Sequence, residues 1–423
     1  MSEIVDILYA EGQGAFFYDD QAAIRAGAAN DGFLYVGPPV TTGFDAVRMP
    51  ARSLGVGLVL ADGSVAWGDM MNVQYAGASG RDPVLDVSQT RGLVEEVLRP
   101  RIIGLNAGEF RASCADVLDK APIPLAVQYG LSQALLRAAA LVTGASMAEV
   151  VCCEYDLPLV AAPVPLYAQS GDARELNVDK MILKRVDILP HGLINSAEKF
   201  GAGGARFLEF VDWVAQRVTA VGGQAYRPTL HFDVYGWVGH AFGLDPKTIA
   251  SFIARAADRA HGLRFHIECP ADFGSRAGQI EGFAAIRQEL SRLGSDAAVV
   301  ADEWCNTFDD IEAFARAGAA DLIQIKMPDV GPVTDTIAAV LTCRSHGVGA
   351  YVGGSCAETD LSAQVSTHIA VATQADMLLA KPGMGVDEAL TIVGNEQSRL
   401  LATLRRRLAR VAHGPTSGEA ARA

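Results

Sequence analysis

Basic residues are in short supply: 35 Lys and Arg stand against 49 Asp and Glu, a net charge of −14 over 423 residues. That deficit argues against a nucleic-acid binder, which needs a cationic face to displace counterions from phosphate. Charge of either sign is sparse, at 20% of residues, too dilute for a disordered chain. Cysteine is scarce too, with seven residues and no Cys-x-x-Cys pair. Cys152 and Cys153 are adjacent and cannot comfortably share one tetrahedral metal, so free thiols in a reducing compartment are expected. The first six residues carry two acids and no basic segment, and no apolar run reaches the roughly 18 residues of a membrane helix. The expectation is a cytoplasmic protein with neither membrane nor nucleic-acid partners.

What is present is a hydrophobic half, ample for a large core, in a chain long enough for two to three domains of about 150 residues. Residues 1–160 read as an α+β unit. Leu54–Leu60 alternates, Asp62-Gly63 turns, and Ser64–Gly68 runs back, the signature of an antiparallel hairpin. Val127, Leu131, Leu135, Ala138 and Val142 then recur at helical spacing up to Gly144, and Ser146 to Glu149 fits a capping box.

Over residues 161–412 the rhythm changes to short apolar runs alternating with amphipathic stretches. Strands are expected at Val164–Gln169, Met181–Leu189, Leu230–Val234, Leu263–Glu268, Ala297–Asp302, Leu322–Lys326, Ala350–Gly353 and Met377–Ala380. Eight strands alternating with helices predict an α/β fold of (β/α)8 type, a closed parallel barrel. No Gly-x-Gly-x-x-Gly follows the first strand to favour a doubly wound sheet instead. Residues 413–423 read as a disordered tail.

In a parallel barrel every strand ends on one face, so the polar residues closing different strands converge. Three successive strands close on a carboxylate, Asp233, Glu268 and Asp302, spaced 35 and then 34 residues apart. Three crowded acids repel one another unless a cation neutralises them, and an all-oxygen set suits Mg²⁺. Each acid alone reads equally well as a helix cap, but three in sequence favour the metal. The next strand closes on Lys326, with Gln324 on the same face. A desolvated lysine beside a dication can act as a general base, and an ion pair with one of the acids is nearly as good a reading. Gln169 closes the first barrel strand, and His191, following the second, is as much a structural residue as a catalyst. His231 and His266, flanked by apolar neighbours, read as structural. Gly353-Gly354-Ser355-Cys356 offers backbone N–H groups to an anion, a substrate carboxylate more readily than a phosphate. Cys356 has no neighbouring acid or histidine in the sequence to activate it as a nucleophile.

Beyond these residues the chain carries Phe17-Tyr18-Asp19-Asp20-Gln21, Val73-Gln74-Tyr75, Gly80-Arg81-Asp82-Pro83, Ala168-Gln169-Ser170-Gly171-Asp172 and Asp187-Ile188-Leu189-Pro190-His191. It also carries His231-Phe232-Asp233-Val234-Tyr235-Gly236, Ala301-Asp302-Glu303-Trp304-Cys305-Asn306-Thr307 and Ala380-Lys381-Pro382-Gly383-Met384-Gly385-Val386-Asp387-Glu388. With these motifs it closely resembles the methylaspartate ammonia-lyase family of the enolase superfamily, from about residue 4 to about residue 405. The resemblance implies an enolase-like modified TIM barrel under an N-terminal α+β capping domain, in a homodimer. It implies reversible loss of ammonia from L-threo-3-methylaspartate, an amino diacid, to give mesaconate, with Mg²⁺ and a monovalent cation such as K⁺. Metal ligands fall on Asp233, Glu268 and Asp302, the base on Lys326, and the residue on the opposite substrate face on His191. Gln74, Gln169, Gln324, Ser355 and Cys356 match positions that hold the carboxylates and the amino group, and Leu379 and Tyr167 match the side-chain pocket. The family's usual Thr-Cys-Asn reads Ser355-Cys356-Ala357 here, and Tyr167 stands where Phe is common. Metal and enolate chemistry alone leave open a racemase or acid-sugar dehydratase of the same superfamily, or a non-catalytic barrel.

Overall fold

The computed structural model describes residues 3–77, 81–119 and 122–413. Gly80 of the Gly80–Pro83 motif, with Ala78 and Ser79, lies outside them, as do residues 414–423 of the expected tail, whereas His413 ends a helix. The N-terminal unit is built on a three-stranded antiparallel sheet, with β1 (Ile4–Asp19), β4 (Arg48–Leu60) and β5 (Val65–Met70) in the order β1-β4-β5. A small hairpin, β2 (Ala29–Asp31) and β3 (Leu34–Val36), stands apart from this sheet. The expected Asp62-Gly63 turn joins β4 to β5, with Val59 opposite Val65 and the Asp62 carboxylate accepting the Ser64 N–H.

Against this sheet lies the expected helix, Leu125–Thr143, ended by Gly144 in the left-handed region at φ 61°. The contact is backbone against backbone. A Cβ on Gly68 would fall 2.1 Å from the Gly130 carbonyl oxygen, and one on Gly130 would fall 2.5 Å from the Met70 nitrogen. This helix is long and apolar enough to cross a membrane by length and composition, contrary to expectation, but its most apolar 18-residue window is 72% buried within the protein. It serves as a core helix here.

The second unit is a closed eight-stranded parallel barrel, with strands in the order β10-β11-β12-β13-β6-β7-β8-β9. They are β6 (Leu166–Ala168), β7 (Ile188–His191), β8 (Thr229–Asp233), β9 (Phe265–Glu268), β10 (Ala298–Ala301), β11 (Leu322–Ile325), β12 (Gly349–Val352) and β13 (Met377–Ala380). Seven lie within a residue or two of expectation at each end. The eighth is a correction: Met181–Leu189 is not one strand. Val178, Met181 and Ile182 share the buried face of a helix, Arg174–Leu183, and only Ile188–His191 joins the barrel. The barrel interior is filled by Tyr167, Ile188, Val300, Leu322, Tyr351, Met377 and Leu379 from six different strands, a packed core of the kind that puts function on the rim.

Candidate active site

Strand register brings the acids together. Asp233 at the end of β8 stands beside Glu268 at the end of β9, and Glu268 stands beside Val300 of β10, two residues before Asp302. Side chains alternate along a strand, so Asp302 shares the inward face of Val300. All three carboxylates are buried. Burial, reinforced by neighbouring acids, pushes the Asp233 and Glu268 carboxyls well above the usual carboxylate range. This is the signature of negative charge short of a counter-ion.

Each acid has meanwhile found a partner within the chain. Asp302 lies 2.9 Å from Lys326 Nζ. Asp233 accepts the Tyr235 N–H at 3.0 Å and lies 3.4 Å from His191 Nε2. Glu268 is 2.6 Å from His231 Nε2 and 3.4 Å from Gln324 Nε2. Among the described residues no three His, Cys, Asp or Glu side chains are grouped tightly enough to hold a metal ion as they stand. The donor set nonetheless fits a hard divalent cation: three buried carboxylates, no sulfur ligand among them, and two with carboxyls raised by burial and then by neighbouring acids.

Lys326 follows β11 and immediately precedes the short helix Met327–Val330. Its expected neutral state is not what this arrangement gives. Burial works against the ammonium, but Asp302 and then Asp329 outweigh it and hold Lys326 protonated above its ordinary range. Of the two expectations for this lysine, the ion pair is the one formed. His191 closes β7 rather than following it and takes φ 66°, in the left-handed region. Its ring meets Gln169 at 3.3 Å as well as Asp233, and its Nδ1 is buried without a partner. Burial pushes the imidazole down to about 3, so it is neutral.

Gln324 donates to the Tyr351 hydroxyl at 3.0 Å and leaves its Oε1 unpartnered. Tyr167 stacks on His191 and meets the His231 ring at a tilt, with its hydroxyl also unpartnered, and Leu379 is buried in the same interior cluster. Ser355 and Cys356 lie on the loop after β12. The loop N–H expected to meet an external anion is already engaged at Ser355, where it donates to Glu358 at 2.8 Å. Burial pushes the Cys356 thiol up to about 12, so it is no thiolate nucleophile. Gln74 stays on the N-terminal unit, its amide donating to Asp19 at 2.8 Å. Asp19 nevertheless adds to the field at Cys356, so this part of the N-terminal unit faces the barrel mouth. Arg81 ties the two units directly through Asp329 at 3.1 Å.

Sequence reasoning missed four participants. His231 is hydrogen-bonded to Glu268 rather than merely packed, Tyr351 holds Gln324, and Asp329 faces Lys326. Glu303, next to Asp302 at the solvent edge, accepts the Cys269 thiol. A cavity of about 210 Å³ lined by Arg81, Trp304, Asn306 and Asp329 reaches the Lys326 side of the cluster through Asp329, but none of the three acids lines it. A larger groove of about 670 Å³ between β1 and the helix Val386–His413 touches none of the three acids, so chemistry rather than size locates the site. A lysine and a neutral histidine flanking an acid cluster can move protons at a carbon held between them.

The chain matches the family models described as methylaspartate ammonia-lyase N-terminus, over residues 2–156, and methylaspartate ammonia-lyase C-terminus, over residues 158–406. It is 46% identical over 408 residues to methylaspartate ammonia-lyase 1 of Carboxydothermus hydrogenoformans, covering 95% of this chain and 97% of that one. Among solved structures it is similar to the Citrobacter amalonaticus methylaspartate ammonia lyase containing (2S,3S)-3-methylaspartic acid, at TM-score 0.93 and 45% identity, covering 95% of this chain and all of that one. The Mg complex of β-methylaspartase from Clostridium tetanomorphum superposes at TM-score 0.92 and 43% identity, covering 96% of this chain and all of that one. A muconate lactonizing enzyme from Pseudomonas fluorescens, at 18% identity and TM-score 0.59, shares the fold alone.

Proposed function

The chain belongs to the methylaspartate ammonia-lyase family, and from that membership we propose that it reversibly eliminates ammonia from (2S,3S)-3-methylaspartate to give mesaconate, with Mg²⁺ as cofactor. The observation that carries the reading is the trio of buried carboxylates on consecutive strands, faced by Lys326 and His191. Asp233, Glu268 and Asp302 would hold Mg²⁺, which would supply Lewis-acid charge against the charge developing on a substrate carboxylate and offset the Asp302 charge that keeps Lys326 protonated.

The proton to be removed lies on the carbon next to that carboxylate and is only weakly acidic. Lys326 Nζ, once the Asp302 charge is neutralised and its ammonium has given up a proton, accepts it from one face. His191, with Nδ1 unpartnered, is assigned the other face, where its lowered basicity accords with the slower reaction of the opposite epimer. Gln169, Gln324 and Gln74 supply amide groups to orient the carboxylates and the amine, and Gln324 Oε1 is still unpartnered. The Ser355 hydroxyl and Cys356 complete that pocket, while Tyr167 and Leu379 pack against the methyl group. The same reading includes K⁺ as an activating cation and a homodimer, both supported by the family resemblance. It also includes a cytoplasmic setting, supported by seven free cysteines.

The test is direct. The purified protein is given mesaconate, ammonium and Mg²⁺, and the ultraviolet absorbance of the unsaturated diacid is followed. It should fall, and a chelator should stop the fall. Absorbance that holds steady in the complete mixture refutes the assignment.

A further inference from the structure

Directly behind the loop that carries Ser355 and Cys356 lies a buried charge pair that the proposed chemistry does not use. Glu358 and Lys381 are both fully buried, 3.3 Å apart. Glu358 Oε2 accepts the Ser355 N–H at 2.8 Å, and Oε1 accepts the hydroxyl of Tyr129 at 2.6 Å. Lys381 Nζ donates to the Gly353 carbonyl at 2.8 Å. Lys381 and Glu358 therefore hold the two ends of Gly353–Ser355, and Tyr129 holds Glu358 in turn. Tyr129 comes from the helix Leu125–Thr143 of the N-terminal unit, and Lys381 follows the last barrel strand, β13.

The fit leaves no slack. A Cβ on Gly354 would fall 2.1 Å from Glu358 Oε2 and 2.7 Å from Lys381 Nζ. The N-terminal unit adds two further holds: the Ala15 N–H of β1 donates to the Glu358 carbonyl at 2.9 Å, and Gly14 lies against the Ala357 carbonyl oxygen. A buried ion pair is a poor way to gain stability, since a hydrophobic pair of the same size often does as well or better. Its geometry is specific, however, because each charge fixes a particular backbone group.

We propose that Glu358, held by Lys381 and Tyr129, is a positioning residue that sets the Gly353–Cys356 loop for the substrate and couples its placement to docking of the N-terminal unit. The inference rests on the proposed function, in which Ser355 and Cys356 contact an amino diacid. It assigns Glu358 no part in the chemical step and none in holding the metal. Loosening the grip weakens substrate binding and leaves Mg²⁺ activation in place.

Three proteins test it: the wild type, Tyr129→Phe, and the charge-neutral double variant Glu358→Gln with Lys381→Met. KM and kcat for mesaconate amination, the Mg²⁺ concentration for half-activation, and the melting temperature are measured for each. The expected result is a KM raised severalfold in Tyr129→Phe and about tenfold or more in the double variant. Half-activation by Mg²⁺ should stay within about twofold of wild type. A double-variant melting temperature close to the wild type's while KM stays high separates positioning from plain stability. If the double variant does not fold, Tyr129→Phe decides the matter. An active wild type whose variants keep its KM overturns this inference alone, as does a loss confined to kcat and Mg²⁺ activation. A wild type with no turnover defeats the functional reading, and this inference falls with it.

Discussion

Replacing His231 with phenylalanine removes the 2.6 Å contact between its Nε2 and Glu268 while keeping a ring of similar size in the barrel. Burial holds the imidazole well below its ordinary range, so it is neutral, and its Nε2–H can donate to Glu268 when a bound cation keeps that carboxylate ionised. Both side chains are fully buried, and no water competes for the bond. A hydrogen bond to a charged group in such a place contributes about 1.5–3 kcal/mol. Outer partners of metal-binding carboxylates typically change metal affinity by about 10- to 100-fold, which is about 1.4–2.7 kcal/mol, the same range reached independently. His231→Phe should therefore raise the Mg²⁺ concentration for half-activation by about one to two orders of magnitude. KM at saturating Mg²⁺ should change little. The assay is mesaconate amination across a Mg²⁺ series, with calorimetric Mg²⁺ titration of the same preparation. If both curves overlay those of the wild type, His231 is a packing residue and the argument from its hydrogen bond is wrong.

Lys326→Ala should cost several orders of magnitude in turnover of the (2S,3S) substrate while calorimetry still finds Mg²⁺ bound; near-normal turnover would remove Lys326 as the base. Arg81→Ala breaks the link to Asp329, whose two side chains are 18% and 6% exposed, and should lower stability by about 2 kcal/mol in urea denaturation. Arg81→Lys should recover only part of that loss, because an ammonium lacks the guanidinium fork. Ser146→Ala removes a capping box and should cost about 1 kcal/mol with unaltered kinetics. Glu396 is held down to about 2 by its hydrogen bond with His368 and then Arg399, against an ordinary value of 4.5. Its folded value is depressed, so the stability it contributes is full above 4.5 and disappears as the pH falls toward 2. Glu396→Gln should accordingly flatten the acid limb of a plot of urea midpoint against pH, and an unchanged slope would exclude this pair as its source.

The acid-ended strands were legible because a barrel turns sequence order into spatial order: one strand-helix unit per carboxylate places the acids side by side without knowledge of any contact. Local signals served as well for the β4–β5 turn, the Gly144 stop and the Ser146 cap, each of which depends on residues within a few positions of one another. Met181–Leu189 failed for a related reason. A short apolar run fits a strand and a buried helix face equally well, and Val178, Met181 and Ile182 keep helical spacing. The charge of Lys326 was not legible for a different reason, because it depends on which anion its ammonium reaches, and both Asp302 and Asp329 lie within its field.

The role of His231 was readable in principle, and the way it was missed shows what the alternation rule adds. Inward-facing residues of a strand recur every second position, so the residue two before each strand-end acid lies one layer beneath it. Applied here, the rule puts His231 under Asp233, His266 under Glu268 and Val300 under Asp302, with Gln324 under Lys326. Parallel pairing sets His231 beside His266 and Asp233 beside Glu268. A histidine in the lower layer is then a diagonal neighbour of the carboxylate on the next strand, and His231 reaches Glu268 by that route. Apolar flanks such as Leu230 and Phe232 say nothing against this, because they point out of the barrel into the helical layer. No such rule reaches Tyr129 and Glu358, 229 positions apart in the chain. Their meeting depends on how the N-terminal unit seats on the barrel, which strand periodicity does not encode.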